Sequence, residues 1–350
     1  MTGTTPSPRD AAHRSRTAGP GADAHGRAGR SGASLPSVAD PRLWVGGLPG
    51  LGRTPLRALG TLAEPARAGL RRDVRRSFGI PEQPRPRAAD PSRAYQPPDG
   101  VARRVHADLP AMVIGGVAAL FLQSLHPLAM AGVADHSSYQ EDPSGRLRRT
   151  AAFMGTTTFG TVEEAEEAIE QVRRVHRRVH GVAPDGRHYS ADDPDLVTWI
   201  HVAGSWCFLH AVQRYGPERF TSEECDRYYD ETAKVAIDLG ATWVPRSSDE
   251  VTAYLQRLQP ELYCGPQARA ARDWLLRGVA RRPEDRIVYT AIVAAAIGVL
   301  PGWARSTLGL PSPPLFDRLV VTPWTRIMCA GLRWAVTPPA SSSAPGPKTG

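Results

Sequence analysis

The chain has 350 residues, of which 41% are hydrophobic, so it can bury a sizeable core in one large domain or two small ones. Its formal net charge of +8 lies entirely in residues 1–100, which contain 16 arginines, no lysine and eight acidic residues. Residues 101–350 contain 27 basic and 27 acidic residues and are therefore neutral. A neutral body argues against specific nucleic-acid binding, although the basic segment could still contact a polyanion.

The cysteines and the N-terminus constrain the compartment. Cys207, Cys225, Cys264 and Cys329 form no CxxC pair, which disfavours a zinc ribbon or a redox motif and indicates reduced thiols. The N-terminus has no apolar segment of the kind found in a secretory signal. We therefore expect a cytoplasmic protein, with peripheral membrane contact left open.

Composition divides the chain into four parts. Residues 1–60 are rich in Gly, Pro and Arg and are predicted to be a disordered basic tail. Residues 61–100 are expected to hold a short helix near 62–78 and a Pro-rich connector. Residues 101–337 carry helical periodicity and form the predicted ordered domain, and residues 338–350 are a second predicted disordered tail.

Two uncharged segments, 109–134 and 287–304, are long enough to suggest membrane spans. The first is interrupted by Gln123, Ser124, His126 and Pro127, and the second ends at Pro301 and Gly302. We interpret both as buried core helices, the first bent near Pro127.

Helix boundaries are marked clearly in the body. Thr161 with Glu164, and Thr221 with Glu224, have the spacing of capping boxes. Asp193 and Pro194 mark the start of a helix that extends towards Gly216 and carries no charge from Leu196 to Gln213. Since strand alternation is scarce, we predict an all-α helical bundle.

The stretch "VRRVHRRVHG" (172–181) ends a helix predicted over residues 161–181 and stopped by Gly181. At 100° per residue, Ala165, Ile169 and Val172 share a face with His176. The arginines lie on the opposite, solvated half, where Glu170 and Arg174 have ion-pair spacing. His180 falls at the edge of the apolar stripe.

A histidine aimed into an apolar core needs a partner, because burying an unpaired imidazole is costly. Two interpretations remain open for His176: a core histidine bonded to a backbone carbonyl, or a ligand to a metal or haem. His126 and His201 also lie in uncharged segments, which favours a shared polar site. The HxxxH spacing of His176 and His180 could bind zinc, but no glutamate is placed as in HExxH.

Residues 122–161, "VRRVHRRVHG", residues 189–202 and "DRYYDE" (226–231) closely resemble the rubber-oxygenase catalytic-domain family, which includes latex-clearing and MpaB-type oxygenases. The resemblance covers roughly residues 65–335. It implies an all-α fold with a globin-like core, a haem b whose iron is bound by His176, and oxidative cleavage of alkenes with O₂.

The resemblance also implies site residues. The family's Arg-x-x-Lys-Thr element is represented here by Arg146, Arg149 and Thr150, which become candidate catalytic residues, and Arg146 is also a candidate partner of the haem propionates. Arg149 stands where the family can have a lysine ligand to iron. Because arginine stays protonated, it is a poor ligand and the distal position must differ. His126, His201 and His180 are candidate cofactor-binding residues.

The sequence therefore predicts a haem-dependent oxygenase that acts with O₂ on a hydrophobic, unsaturated, isoprenoid or lipid-like substrate. A haem-binding sensor or carrier without turnover is one alternative. A helical interaction protein with a basic tail is another. The oligomeric state is left open.

Overall fold

A computed structural model describes residues 91–137, 139–277, 283–310 and 313–336, together with residues 68, 69 and 72. The contacts divide the chain into Met1–Pro55 and Leu56–Gly350, and every element below belongs to the second unit. The predicted tails 1–60 and 338–350 lie outside the described residues. So does the helix expected near 62–78, apart from residues 68, 69 and 72, which are helical.

The described residues are mainly helical, which confirms the all-α prediction, while the globin-like core stays a prediction. The elements in chain order are α1 Val101–His106, α2 Leu109–Gln123, α3 Pro127–His136, α4 Pro143–Phe159, α5 Val162–His176, β1 His180–Val182, β2 His188–Ser190, α6 Pro194–Tyr215, α7 Ser222–Leu239, α8 Ser248–Leu258, α9 Pro266–Arg277, α10 Pro283–Val299 and α11 Gly302–Leu308. A last helical segment follows, in which the turn Pro314–Phe316 leads through a π-helix, Asp317–Val321, into α12, Thr322–Val336.

The core is centred on the contact between α2 and α6. The two helices approach closely at Gly115, where an added Cβ would lie 3.0 Å from Cα of Phe208 and 3.1 Å from the carbonyl oxygen of Cys207. Only glycine allows backbones to come this near. Trp199 on α6 is fully buried and its Nε1 donates to the carbonyl oxygen of Gln123 at 3.3 Å, which fixes the register of the pair.

The first uncharged segment packs into the core, as predicted, and the second does so between Val293 and Val299, whereas Ile287 and Val288 at its start are exposed. The chain bends by 107° between α2 and α3, next to Pro127, and the second segment ends as α10 at Val299. In the described part of the chain no single helix is long and apolar enough to cross a membrane, and only the bent pair α2–α3 meets the length and composition of a span.

The local signals at helix starts are confirmed. Thr161 with Glu164, and Thr221 with Glu224, form complete capping boxes. In each box, the side chain of one residue accepts a hydrogen bond from the backbone N–H of the other. Asp193 caps α6 and Pro194 opens it. All four cysteines are free, as expected, and Cys207 and Cys329 are buried.

The predicted helix over residues 161–181 was too long, because α5 ends at His176 and the chain turns into a two-stranded antiparallel hairpin. The cause is non-local. Tyr189 on β2 is buried against Gly132 of α3 and against Gly181, where an added Cβ would lie 2.6 Å from the tyrosine hydroxyl. That hydroxyl donates to Oδ2 of Asp135 at 2.6 Å. Gly181 therefore serves the hairpin and does not cap a helix.

Candidate functional site

His176 is the last residue of α5, and its ring is partly buried. The stripe predicted to carry it is confirmed, since Ala165 and Ile169 are buried on the same face. The Nδ1 atom of His176 is buried without a hydrogen-bond partner. Burial lowers the pKa of His176, with Asp192 acting weakly in the opposite sense, so the imidazole is neutral at neutral pH. A neutral imidazole with an unsatisfied nitrogen is suited to binding a metal or cofactor.

The opposite face of α5 is solvated, as predicted, although its ion pairs differ in detail. The carboxylate of Glu170 lies 3.1 Å from Arg177 and 4.0 Å from Arg173, whereas the expected partner was Arg174. Arg177 is the C-cap of α5 and still has helical backbone angles, and its side chain reaches back to Glu170. Two of the four arginines of this motif, Arg173 and Arg177, thus share the carboxylate of Glu170 at the protein surface.

His201 on α6 and His106 of α1 are two half-buried histidines that influence each other electrostatically. Burial lowers the pKa of His201 to about 4, and it lowers the pKa of His106 to about 3 with a further contribution from His201. The Nδ1 atom of His106 lies 2.8 Å from Oγ1 of Thr158, and its Nε2 atom lies 3.1 Å from the hydroxyl of Tyr228. His106 therefore belongs to a partly buried polar cluster with Thr158 and Tyr228.

His106 was not among the site residues predicted from the sequence. It follows two arginines in "VARRVH", which is typical of a surface helix, and nothing in that stretch indicates which neighbour covers it. The spacing of Val101 and Val105 could have indicated that this helix packs against the core. Both side chains are fully buried and place α1 there.

His126 is buried and holds a structural position. It is the N-cap of α3, where its Nδ1 atom accepts the backbone N–H of Ala129 at 3.4 Å, and its ring lies 5.8 Å from that of Trp199. Burial lowers the pKa of His126 to about 4, and the charge of Arg187 acts in the same direction. One ring nitrogen of His126 is therefore occupied by the capping hydrogen bond at the bend between α2 and α3.

The three candidates on α4 occupy different environments. Arg146 is half-buried, which lowers its pKa, and its guanidinium donates to Oγ of Ser137. Arg149 is exposed and lies 3.7 Å from the carboxylate of Asp142, the N-cap of the same helix. Thr150 is also exposed. Among these residues only Arg146 is held by a neighbouring element.

His180 lies on β1 and is exposed, so it does not continue the apolar stripe of α5 as the longer helix would have required. Its carbonyl oxygen lies 3.3 Å from Nε2 of His136. Within the described ranges, no group of three or more His, Cys, Asp or Glu side chains could hold a metal ion. The zinc interpretation of the HxxxH spacing therefore has no support from the geometry.

Large apolar side chains are exposed on α5 and α6, which carry His176 and His201, and on α2 and α4, which pack against them. Leu120 of α2, Leu147 of α4, Val175 of α5 and Ile200 of α6 have exposed fractions between 39% and 55%. The helices are connected, since α2 packs on α6, α4 packs on α5, and His106 joins α4 to α6 through Thr158 and the ring of Phe208. Exposed apolar side chains therefore occur on several helices of this connected group.

The comparisons with known proteins agree with the helical architecture. The profile of the family described as "ER-bound oxygenase mpaB/B'/Rubber oxygenase, catalytic domain" matches residues 103–334. The match spans α1 to α12, so the chain belongs to this family of oxygenases, as the resemblance indicated. Searches of curated proteins and of solved structures gave no significant match.

Proposed function

We propose that this chain is a haem-b-dependent oxygenase that uses O₂ on a hydrophobic, unsaturated substrate of isoprenoid or lipid-like chemistry. The observation that carries the proposal is the unpartnered, buried Nδ1 atom of His176 on the apolar face of α5, in a chain that belongs to an oxygenase family. When bound, the haem would supply the iron that activates O₂.

Each candidate residue has a separate task in this proposal. His176 would bind the iron as a neutral imidazole, which its lowered pKa favours at neutral pH. Arg146 would bind a propionate, because a half-buried guanidinium forms strong charge-assisted hydrogen bonds with carboxylates. His201 and His106 would keep the neighbouring interior polar but uncharged, and the apolar side chains of α2, α4 and α6 would exclude water from the substrate.

The absorption spectrum of the purified, haem-reconstituted chain tests the ligand. We expect a Soret band in the wild type, its loss or a strong shift in His176→Ala, and no change in His180→Ala. The second variant is a matched control because it removes an imidazole from the same motif at an exposed position. A wild-type chain without a Soret band would contradict haem binding. A His176→Ala spectrum identical to the wild type would assign the ligand elsewhere.

Turnover is tested separately from binding. The haem-loaded chain should consume O₂ steadily when supplied with an apolar alkene and should not do so with the corresponding saturated alkane. A chain that shows a Soret band but no alkene-dependent O₂ consumption would instead be a haem-binding sensor or carrier.

A further inference from the structure

The last helical segment exposes an apolar surface. Between residues 316 and 334 one side of the segment packs on the body, with Asp317, Thr325 and Cys329 buried. The other side is exposed and contains the side chains that we call the C-terminal apolar face: Phe316, Leu319, Val320, Trp324, Ile327 and Trp334. A helix on a water-covered surface normally has polar residues there, so a continuous exposed apolar stripe indicates an interaction surface.

The neighbouring helix extends this surface. Ile287 and Val288 on α10, which contacts α12, are exposed at 74% and 48%. Both helices therefore expose aliphatic side chains, and α12 also exposes Trp324 and Trp334. Tryptophan beside aliphatic residues on one helix face is typical of helices that lie in the interface of a bilayer.

The charges around the face have one sign. Residues 286–336 contain five arginines and one carboxylate, Asp317. Asp317 is buried and already paired with Arg214. Within the described ranges, neither Arg318 nor Arg326 forms an ion pair, and both side chains are exposed. The surface therefore combines apolar side chains with uncompensated positive charge.

A cleft of about 290 Å³ opens beside the face and contains further arginines. It is lined by Arg214, Arg219 and Arg326, together with His210, Gln213 and Val299. The pKa of Arg219 is lowered by burial and then by the like charge of Arg326, so the two guanidinium groups repel one another. An anion between them would relieve that repulsion. Arg326 belongs both to the cleft and to α12, next to Ile327, and so joins the two features.

We propose that the C-terminal apolar face docks on an anionic lipid bilayer, with its apolar side chains in the interfacial region and with Arg219 and Arg326 binding a lipid phosphate. Charge complementarity favours a membrane over the two other candidate occupants of the face, a second copy of this chain and the N-terminal residues 1–90. Two copies of this chain facing each other would bring arginines together without carboxylates between them. Residues 1–90 of the chain also have an excess of arginine and offer no complementary charge.

The test is co-sedimentation of the full chain with vesicles of phosphatidylcholine alone and of phosphatidylcholine mixed with phosphatidylglycerol. We expect preferential binding to the mixed vesicles that weakens as salt is added. Ile327→Ser should weaken this binding by about tenfold, because an aliphatic side chain would no longer be buried. Val182→Ser, which alters an exposed aliphatic residue on β1, should bind like the wild type.

A second pair of variants tests the cleft. Arg326→Gln should weaken binding to the mixed vesicles by about fivefold, the contribution of one basic residue near an anionic surface. Arg246→Gln removes the same charge from an exposed site before α8 and should have little effect. Helical circular dichroism should be the same for all four variants, since each substituted side chain is exposed.

Three outcomes would overturn the proposal. One is a chain that does not bind the mixed vesicles. Another is binding that Ile327→Ser and Arg326→Gln leave at the wild-type level, which would assign it to the basic N-terminal segment. The third is a dimer in size-exclusion chromatography that Ile327→Ser dissociates, which would make a second copy the occupant of the face.

Discussion

The Nδ1 atom of His106 on α1 lies 2.8 Å from Oγ1 of Thr158 on α4. Through its other nitrogen the same ring contacts Tyr228 of α7, and its edge faces the ring of Phe208 on α6. A single neutral imidazole thereby connects four helices. Because a buried polar group is costly when it loses its partner, this junction resists any shift of α4 relative to α6.

The coupling between His106 and Thr158 can be measured directly. We expect His106→Ala to lower the free energy of unfolding by about 1–3 kcal/mol, because it leaves two hydroxyl groups without a buried partner. Thr158→Val should also be destabilising, and the double variant should lose less than the sum of the two. Urea unfolding of the four proteins tests this cycle, and strictly additive losses would contradict the coupling.

The buried histidines predict a pH dependence of stability. The pKa of His106 is about 3 and those of His126 and His201 are about 4, against an ordinary value of 6.5. Between pH 6.5 and 4 the unfolded chain therefore binds more protons than the folded chain, so stability falls as the pH is lowered through this range. Each pKa unit corresponds to about 1.4 kcal/mol per group.

Urea midpoints measured between about pH 7 and pH 4 test this dependence. Because carboxylates also titrate there, the informative quantity is the difference between variants. His106→Gln should show a shallower loss of stability than the wild type, whereas His188→Gln, which alters an exposed histidine on β2, should follow the wild type. Parallel curves for all three proteins would contradict the lowered pKa of His106.

Two helical glycines predict opposite effects of the same substitution. Gly115→Ala should lower the free energy of unfolding by about 1–3 kcal/mol. The new methyl group would lie 3.0 Å from the backbone of α6, and moving either helix away would cost packing energy. Gly155→Ala on α4 has nothing within 4 Å of the added Cβ and should stabilise by up to about 1 kcal/mol through helix propensity. Thermal unfolding compares the two, and equal effects would contradict the close contact of α2 and α6.

The ion pair between the half-buried Arg214 and the buried Asp317 fixes the last helical segment to α6. Arg214 also donates to the carbonyl oxygen of Gly298 at 2.7 Å and to Oγ1 of Thr322 at 2.9 Å. Asp317→Asn should lower the free energy of unfolding by about 3 kcal/mol, because it leaves the guanidinium without its counter-charge. Asp185→Asn, which removes the exposed partner of Arg187, should have a much smaller effect in the same urea titration.

Arg146 and Arg149 form a matched pair for the proposed cofactor site. Arg146→Gln should weaken haem retention, because the half-buried guanidinium would no longer meet a propionate. Arg149→Gln should leave it unchanged, since its side chain is exposed and paired with Asp142. Titration of the reconstituted chain with haem gives the two dissociation constants, and a larger effect of Arg149→Gln would reverse the assignment.

Much of the fold could be predicted from local patterns in the sequence. Both capping boxes, the start of α6 at Asp193 and Pro194, the bend beside Pro127 and the apolar stripe that includes His176 were predicted correctly. Each depends on residues within about one or two helical turns of each other, so their geometry follows from the helix itself.

The sequence by itself determined the helices, their capped ends and the face on which His176 lies, because these depend on short-range spacing. The tertiary structure alone decided which neighbours each face meets. It placed a hairpin after His176, where Tyr189 packs against Gly132 and bonds to Asp135 of α3. It also placed His106 between α4 and α7 and left the C-terminal apolar face uncovered by described residues. Burial is a property of contacts between segments far apart in the chain, and no local pattern records it.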